Sequence, residues 1–264
     1  MSRRTDKGSR RAATTTGGRG VVSTSPVGRV VIQLSSAALA RGLVVTSGLC
    51  CGLGLLAELL HHRAGLDHPA LLLWSLSYED NLPSWYASVL PLMCAGLLAT
   101  IAVAEAVDRR HWQMLALGFV YISIDEALSL HEMLGALFDT RGLLHFGWVI
   151  PAAAIVLVVG LVFLGFLRRL DRATARRFVI SGALYVTGAL LFELPLGWWT
   201  ERHGEDSLGY ALIDWCEETL EFTGLTLFAL TLLGRLQGRT LRFARTADTS
   251  ADPPLRPPVD APTR

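Results

Sequence analysis

Carboxylates and imidazoles recur inside stretches of this chain that are otherwise apolar. One stretch carries Asp125, Glu126, His131 and Glu132, and a second carries Glu193 two residues before Pro195. A third holds Asp214, Glu217, Glu218 and Glu221, and a fourth ends with Glu58, His61 and His62. An ionisable side chain in hydrocarbon costs about 2.5–3.5 kcal/mol on insertion scales, so each is a functional candidate by default. Carboxylate oxygens and imidazole nitrogens suit a divalent ion such as iron, manganese or zinc. On this chemistry Glu58, His61, His131, Glu132, Glu193, Glu218 and Glu221 are expected as metal ligands, with Asp125, Glu126 and Glu217 as catalytic acids and bases. Glu58-x-x-His61 has the spacing used by di-iron carboxylate bundles, and Glu218-x-x-Glu221 resembles its carboxylate variant. There is no His-Glu-x-x-His and no His-x-x-x-His, which removes the main support for zinc-protease and His-box chemistry.

Two other accounts of the same residues compete with a metal-dependent membrane enzyme. Chains of Asp, Glu and His also mark proton and cation pathways in transporters, and Gly188, Pro195 and Gly197 would let the span around Glu193 break. Alternatively the acids only join helices or lie solvated at an interface. Crowded carboxylates repel strongly at low dielectric, so they must be protonated or neutralised by a cation. Gly48-x-x-x-Gly52 is a spacing for close helix packing, and Cys50, Cys51 and Cys94 read as packing residues.

The elements that position these residues follow from composition. Of 264 residues 51% are hydrophobic and 18% charged, with a mean hydropathy of +0.41; a soluble domain carries about 25% charged residues. Six apolar stretches are long enough to cross a bilayer as helices, at 42–60, 85–107, 112–138, 146–167, 178–199 and 210–233. The expected fold is therefore all-α, a six-helix transmembrane bundle over 29–236. Two tails, 1–28 and 237–264, are rich in Ser, Thr, Gly, Arg, Pro and Asp and are expected to lie unfolded in the cytoplasm. With the N-terminus inside, 21 of the 24 Arg and Lys residues fall on cytoplasmic segments, which places both termini in the cytoplasm. Basic residues spread over four membrane-flanking segments do not form a nucleic-acid patch. The partners expected are the lipid bilayer and a lipid or small-molecule substrate, with no nucleic acid.

That orientation fixes depth. At 1.5 Å per residue Glu217 to Glu221 lie roughly 10–17 Å below the outer boundary, and Asp125 and Glu193 fall in a similar band. Asp125, Ser129 and Glu132 share one face if the third span is a continuous helix. Six of the seven histidines, all but His111, also fall on the outer side. Glu105 and Asp108, beside Arg109, read as surface residues of the inner side. The long outer loop, 61–84, should hold a short helix starting at Asp67-His68-Pro69, with Asp67 as its cap. Val27 to Ala40 is a candidate amphipathic helix on the inner surface.

The string Asp125-Glu126-Ala127-x-Ser129-x-His131-Glu132 resembles a family of uncharacterised bacterial multi-pass membrane proteins, over about residues 75 to 235. The resemblance implies a bacterial cytoplasmic (inner) membrane protein and brings no activity with it.

Overall fold

The computed structural model describes residues 36–135 and 137–237, and these are helical with no strand among them. The tails 1–28 and 238–264, with most of the stretch 27–40, lie outside the described residues. In chain order the helices are α1 (Ser36–Ala64), α2 (Pro69–Leu72), α3 (Leu82–Ala104), α4 (Arg109–Leu128), α5 (Leu130–Gly135), α6 (Val149–Arg169), α7 (Arg172–Val186), α8 (Glu193–His203) and α9 (Leu208–Leu236). A 3-10 turn, Gly142–Leu144, precedes α6, and a π-helical turn, Thr187–Phe192, joins α7 to α8. Five segments are long and apolar enough to cross a membrane: α1, α3, α6, the α7–α8 unit and α9. Large apolar side chains of α6, among them Ile155, Leu157 and Leu161, are turned outward. That is where a lipid-facing helix puts them.

α9 is the axis around which the others pack, and the most deeply buried of the five. Its Phe222, Leu225, Phe228, Ala229 and Leu232 meet Leu90, Cys94, Leu98 and Ile101 of α3 in one core. Near the middle a polar node keys three helices together. The Ser47 hydroxyl of α1 bonds the Thr226 hydroxyl of α9 at 2.7 Å and the Tyr86 hydroxyl of α3 at 3.0 Å. In a low-dielectric interior a buried hydroxyl without a partner is costly, so the node holds the register of these helices. α7 and the π turn that follows it approach α9 closely because glycines stand at the contacts. A Cβ on Gly224 would lie 2.7 Å from the Ser181 carbonyl, and one on Gly188 would lie 2.7 Å from the Glu217 carbonyl. Gly48 and Gly52, by contrast, have open space where a Cβ would stand. The Gly-x-x-x-Gly spacing therefore serves no packing within the described residues, and the close approach belongs to Gly188 and Gly224.

The turn 105–108 reverses the chain between α3 and α4, which pack side by side along their length. Ion pairs gather at this end of the bundle. Arg169 holds Asp108 at 2.6 Å, while Arg235 meets Glu105 at 2.9 Å and Asp171 at 3.6 Å. The Arg169 guanidinium holds the Asp108 carboxyl below its ordinary range. Glu105 and Asp108 are thus bridges between helix ends rather than solvated neighbours of Arg109. A plug of rings, in which Trp112 meets Phe166 at 4.8 Å and His111 stacks on Phe166 at 5.2 Å, fills the space behind them.

The opposite end carries the longer connections. The N-cap of α2 is His68, whose Nδ1 accepts from the Ala70 N–H at 3.1 Å. With Pro69 as the first helical residue the cap position falls on His68, so Asp67 is not the cap, and the short helix ends at Leu72. Asn81 organises the connection from α2 to α3. Its side chain and Ser84 cap α3 reciprocally, and its Nδ2 lies 2.7–3.0 Å from the carbonyls of Leu72, Ser75 and Tyr78.

Candidate functional site

The stretch 112–138 is not one helix. α4 stops at Leu128, and Ser129 takes a left-handed conformation (φ 45°) that turns the chain before α5. The Ser129 hydroxyl donates to Glu79 Oε1 at 2.7 Å, which ties the break to the 73–81 segment. Asp125 and Glu132 consequently do not share a continuous helical face. The break instead folds His131 back, so that its Nδ1 donates to Asp125 Oδ2 at 2.9 Å and its ring packs on Trp148 at 4.8 Å. That bond fixes the tautomer and leaves the other ring nitrogen, Nε2, for a proton or a metal.

A second irregularity positions Glu193. The π turn immediately before it absorbs an extra residue, and Pro195 two residues on offers no N–H to Leu191. Glu193 sits at the start of α8, buried to 7% exposure. Its neighbours Glu217 and Glu221 are buried on α9, where Glu221 packs its stem against Gly188.

These side chains surround a cavity of about 480 Å³ at the end of the bundle where α3, α6 and α9 begin. Of the ligands and catalytic residues expected from sequence, Glu126, His131, Glu132, Glu193, Glu217 and Glu218 line it. Asp125 stands behind His131, and Glu221 lies one turn beyond Glu217 and Glu218. Glu58 and His61 do not line the cavity; Glu58 accepts from the Ser75 hydroxyl and faces His62 Nε2 at 3.5 Å. Glu58-x-x-His61 and Glu218-x-x-Glu221 therefore do not assemble into one di-iron-type site. Asp214, Glu79, Glu205 and Tyr210 are lining residues that were not assigned as site residues from sequence. Asp214 was visible as an acid within the sixth apolar run, but Glu79 and Glu205 lie in connections, where no periodicity marks them.

The cavity is strongly acidic, and its hydrogen bonding is incomplete. Glu193 Oε2, Asp214 Oδ2 and Glu217 Oε2 are buried with no hydrogen-bond partner, as is Asp125 Oδ1 beside His131. Buried charged oxygens are ordinarily paired, protonated or bound to a cation. Carboxylate oxygens and an imidazole in one lining are donor types that suit a divalent ion, but among the described residues these cavity side chains do not bring three donor atoms within 4.8 Å of one another. The volume also leaves room for a small ligand. The one group among the described residues with three donors so close lies outside the cavity lining: His61, His62 and Asp206, with one donor atom from each within 4.8 Å of the others.

The fold and site define a class: helical proteins with several helices long and apolar enough to cross a membrane, and an acidic, histidine-bearing cavity at one end. Within that class the chain belongs to the family described as "Domain of unknown function (DUF8692)", whose model matches residues 66–236. No curated protein and no solved structure matches the chain. The matched span takes in every cavity residue named above and leaves out α1.

Proposed function

We propose that this is a bacterial inner-membrane enzyme that uses a divalent metal, iron, manganese or zinc, held in the acidic cavity. The observation that carries the reading is the set of three buried, unpartnered carboxylate oxygens on Glu193, Asp214 and Glu217, three residues that line one space together with His131. In this reading Glu132, Glu193, Glu217 and Glu218 supply oxygen ligands and His131 a nitrogen, while Asp125 orients the imidazole. Glu126 is the general base. The metal would supply Lewis acidity or redox capacity to a hydrolytic or oxidative step on a lipid or small molecule at the outer leaflet. Six spans with both termini cytoplasmic complete the reading. At 20 residues α4 is about 30 Å long, a crossing length, and among the described residues Arg169 and Arg235 lie at the end opposite the cavity.

One observation favours cation-coupled transport instead: the π turn beside Glu193, a broken helix at a charged site. The ring cluster around Trp112, Phe166 and Phe178 closes the opposite end, which favours the enzyme. Metal analysis of the protein purified in detergent separates the two. A bound transition metal lost in Glu218→Gln supports the enzyme; no metal, together with proton-driven uptake in proteoliposomes, selects the transporter.

A further inference from the structure

We propose that His61, His62 and Asp206 form a zinc site of their own on the rim of the cavity, distinct from the carboxylates inside it. One nitrogen of each ring and one Asp206 oxygen already lie within 4.8 Å of one another. Donors around a tetrahedral zinc stand roughly 3.3 Å apart, given metal–ligand bonds of about 2.0–2.2 Å. Closing the remaining gap asks for a shift of about 1.5 Å by this geometry, and Asp206 is exposed in the connection between α8 and α9.

Both imidazoles are held as metal-bound imidazoles are. His61 Nδ1 donates to the Leu66 carbonyl at 3.3 Å, and His62 Nε2 faces Glu58 Oε2 at 3.5 Å. A carbonyl or carboxylate on one ring nitrogen fixes the tautomer and raises the basicity of the other. Each ring is left with its second nitrogen for a ligand. The rings stand edge to face, 4.7 Å apart, so they act as a pair. Glu58 is buried to 2% exposure, and its other oxygen is occupied by Ser75. It cannot reach solvent, and it serves as a positioning residue for His62.

The site would have a mechanical consequence. It ties the end of α1 to the 204–207 connection, where the next residue back, Glu205, lines the cavity. Zinc at the rim would hold one wall of that cavity in place, whatever occupies its interior.

The test uses full-length protein stripped with chelator in detergent and titrated with zinc alone, in the Glu217→Gln/Glu218→Gln background so that the cavity does not contribute. One zinc per chain should bind, and cobalt in its place should give the visible absorption of a tetrahedral site. Asp206→Asn, at an exposed position where folding is safe, should weaken zinc at least tenfold. Glu58→Gln should weaken it about tenfold without changing the stoichiometry. The proposal is overturned if the double-Gln background binds no zinc, or if Asp206→Asn and His62→Ala leave binding unchanged. A cavity metal lost in the double-Gln variant while the rim zinc persists would bear on the enzyme reading alone.

Discussion

His131 Nδ1 and Asp125 Oδ2 meet at 2.9 Å across a helix break, six residues apart in sequence. On an unbroken helix the two residues would point to different faces. The left-handed Ser129 makes the pair, and the pair makes His131 a nitrogen donor of fixed tautomer toward the cavity.

Asp125→Asn should therefore act through His131. Loss of an outer carboxylate partner lowers metal affinity by about 10–100-fold. His131→Ala should cost at least as much, and the double variant should be no worse than His131→Ala alone. Metal titrations of the three proteins check this. Additive losses would show that Asp125 acts elsewhere.

The cavity carboxylates should behave as a unit. Glu218→Gln and Glu217→Gln should each remove most of the bound metal or activity, with the double little worse than either single. Asp139, exposed and outside the cavity lining, is the control, and Asp139→Asn should be silent. Equal behaviour of Glu218→Gln and Asp139→Asn would reduce the cluster to a structural one.

Gly188→Ala should disturb the contact of the π turn with α9, because the added Cβ would stand 2.7 Å from the Glu217 carbonyl and 2.8 Å from Glu221 Cγ. Overpacking of this kind costs about 1–3 kcal/mol. Thermal unfolding in detergent should show it, with metal binding weakened alongside. Gly48→Ala, in open space, should leave both unchanged.

Asp108 predicts a response to acid. Its carboxyl is held below the ordinary value of 3.8, first by its bond to the Arg169 guanidinium. A carboxylate depressed in the folded state contributes stability that is full above its unfolded value and is lost as pH falls through its folded one. Asp108→Asn should thus lower stability near neutral pH and flatten its fall below about pH 4. Unfolding curves of wild type and variant that stay parallel down to pH 3 would refute this.

The helical class was legible because apolar runs of membrane-spanning length leave the backbone few other options. The break in the third of these runs was not. Ser129 is neither Gly nor Pro, and the apolar residues around it continue a helical pattern across the turn. The same blindness affected Glu105: a charge near a helix end reads as solvated, and its partner Arg235 lies 130 residues away. His61 and Glu193 both belong to acidic or imidazole clusters near one end, and sequence merged them into one site. Only the packing of α1 away from the cavity separates them.

The acids of α9 also constrain how the protein is made. Asp214, Glu217, Glu218 and Glu221 stand on the last helix of the described chain, and each costs about 2.5–3.5 kcal/mol to place in hydrocarbon alone. α1, α3 and the α7–α8 unit, all synthesised earlier, carry the surfaces that cover this helix. In the membrane reading proposed above, its entry into a bilayer would be tied to partners already waiting there, and α9 would be the helix least able to leave the translocation machinery unaccompanied.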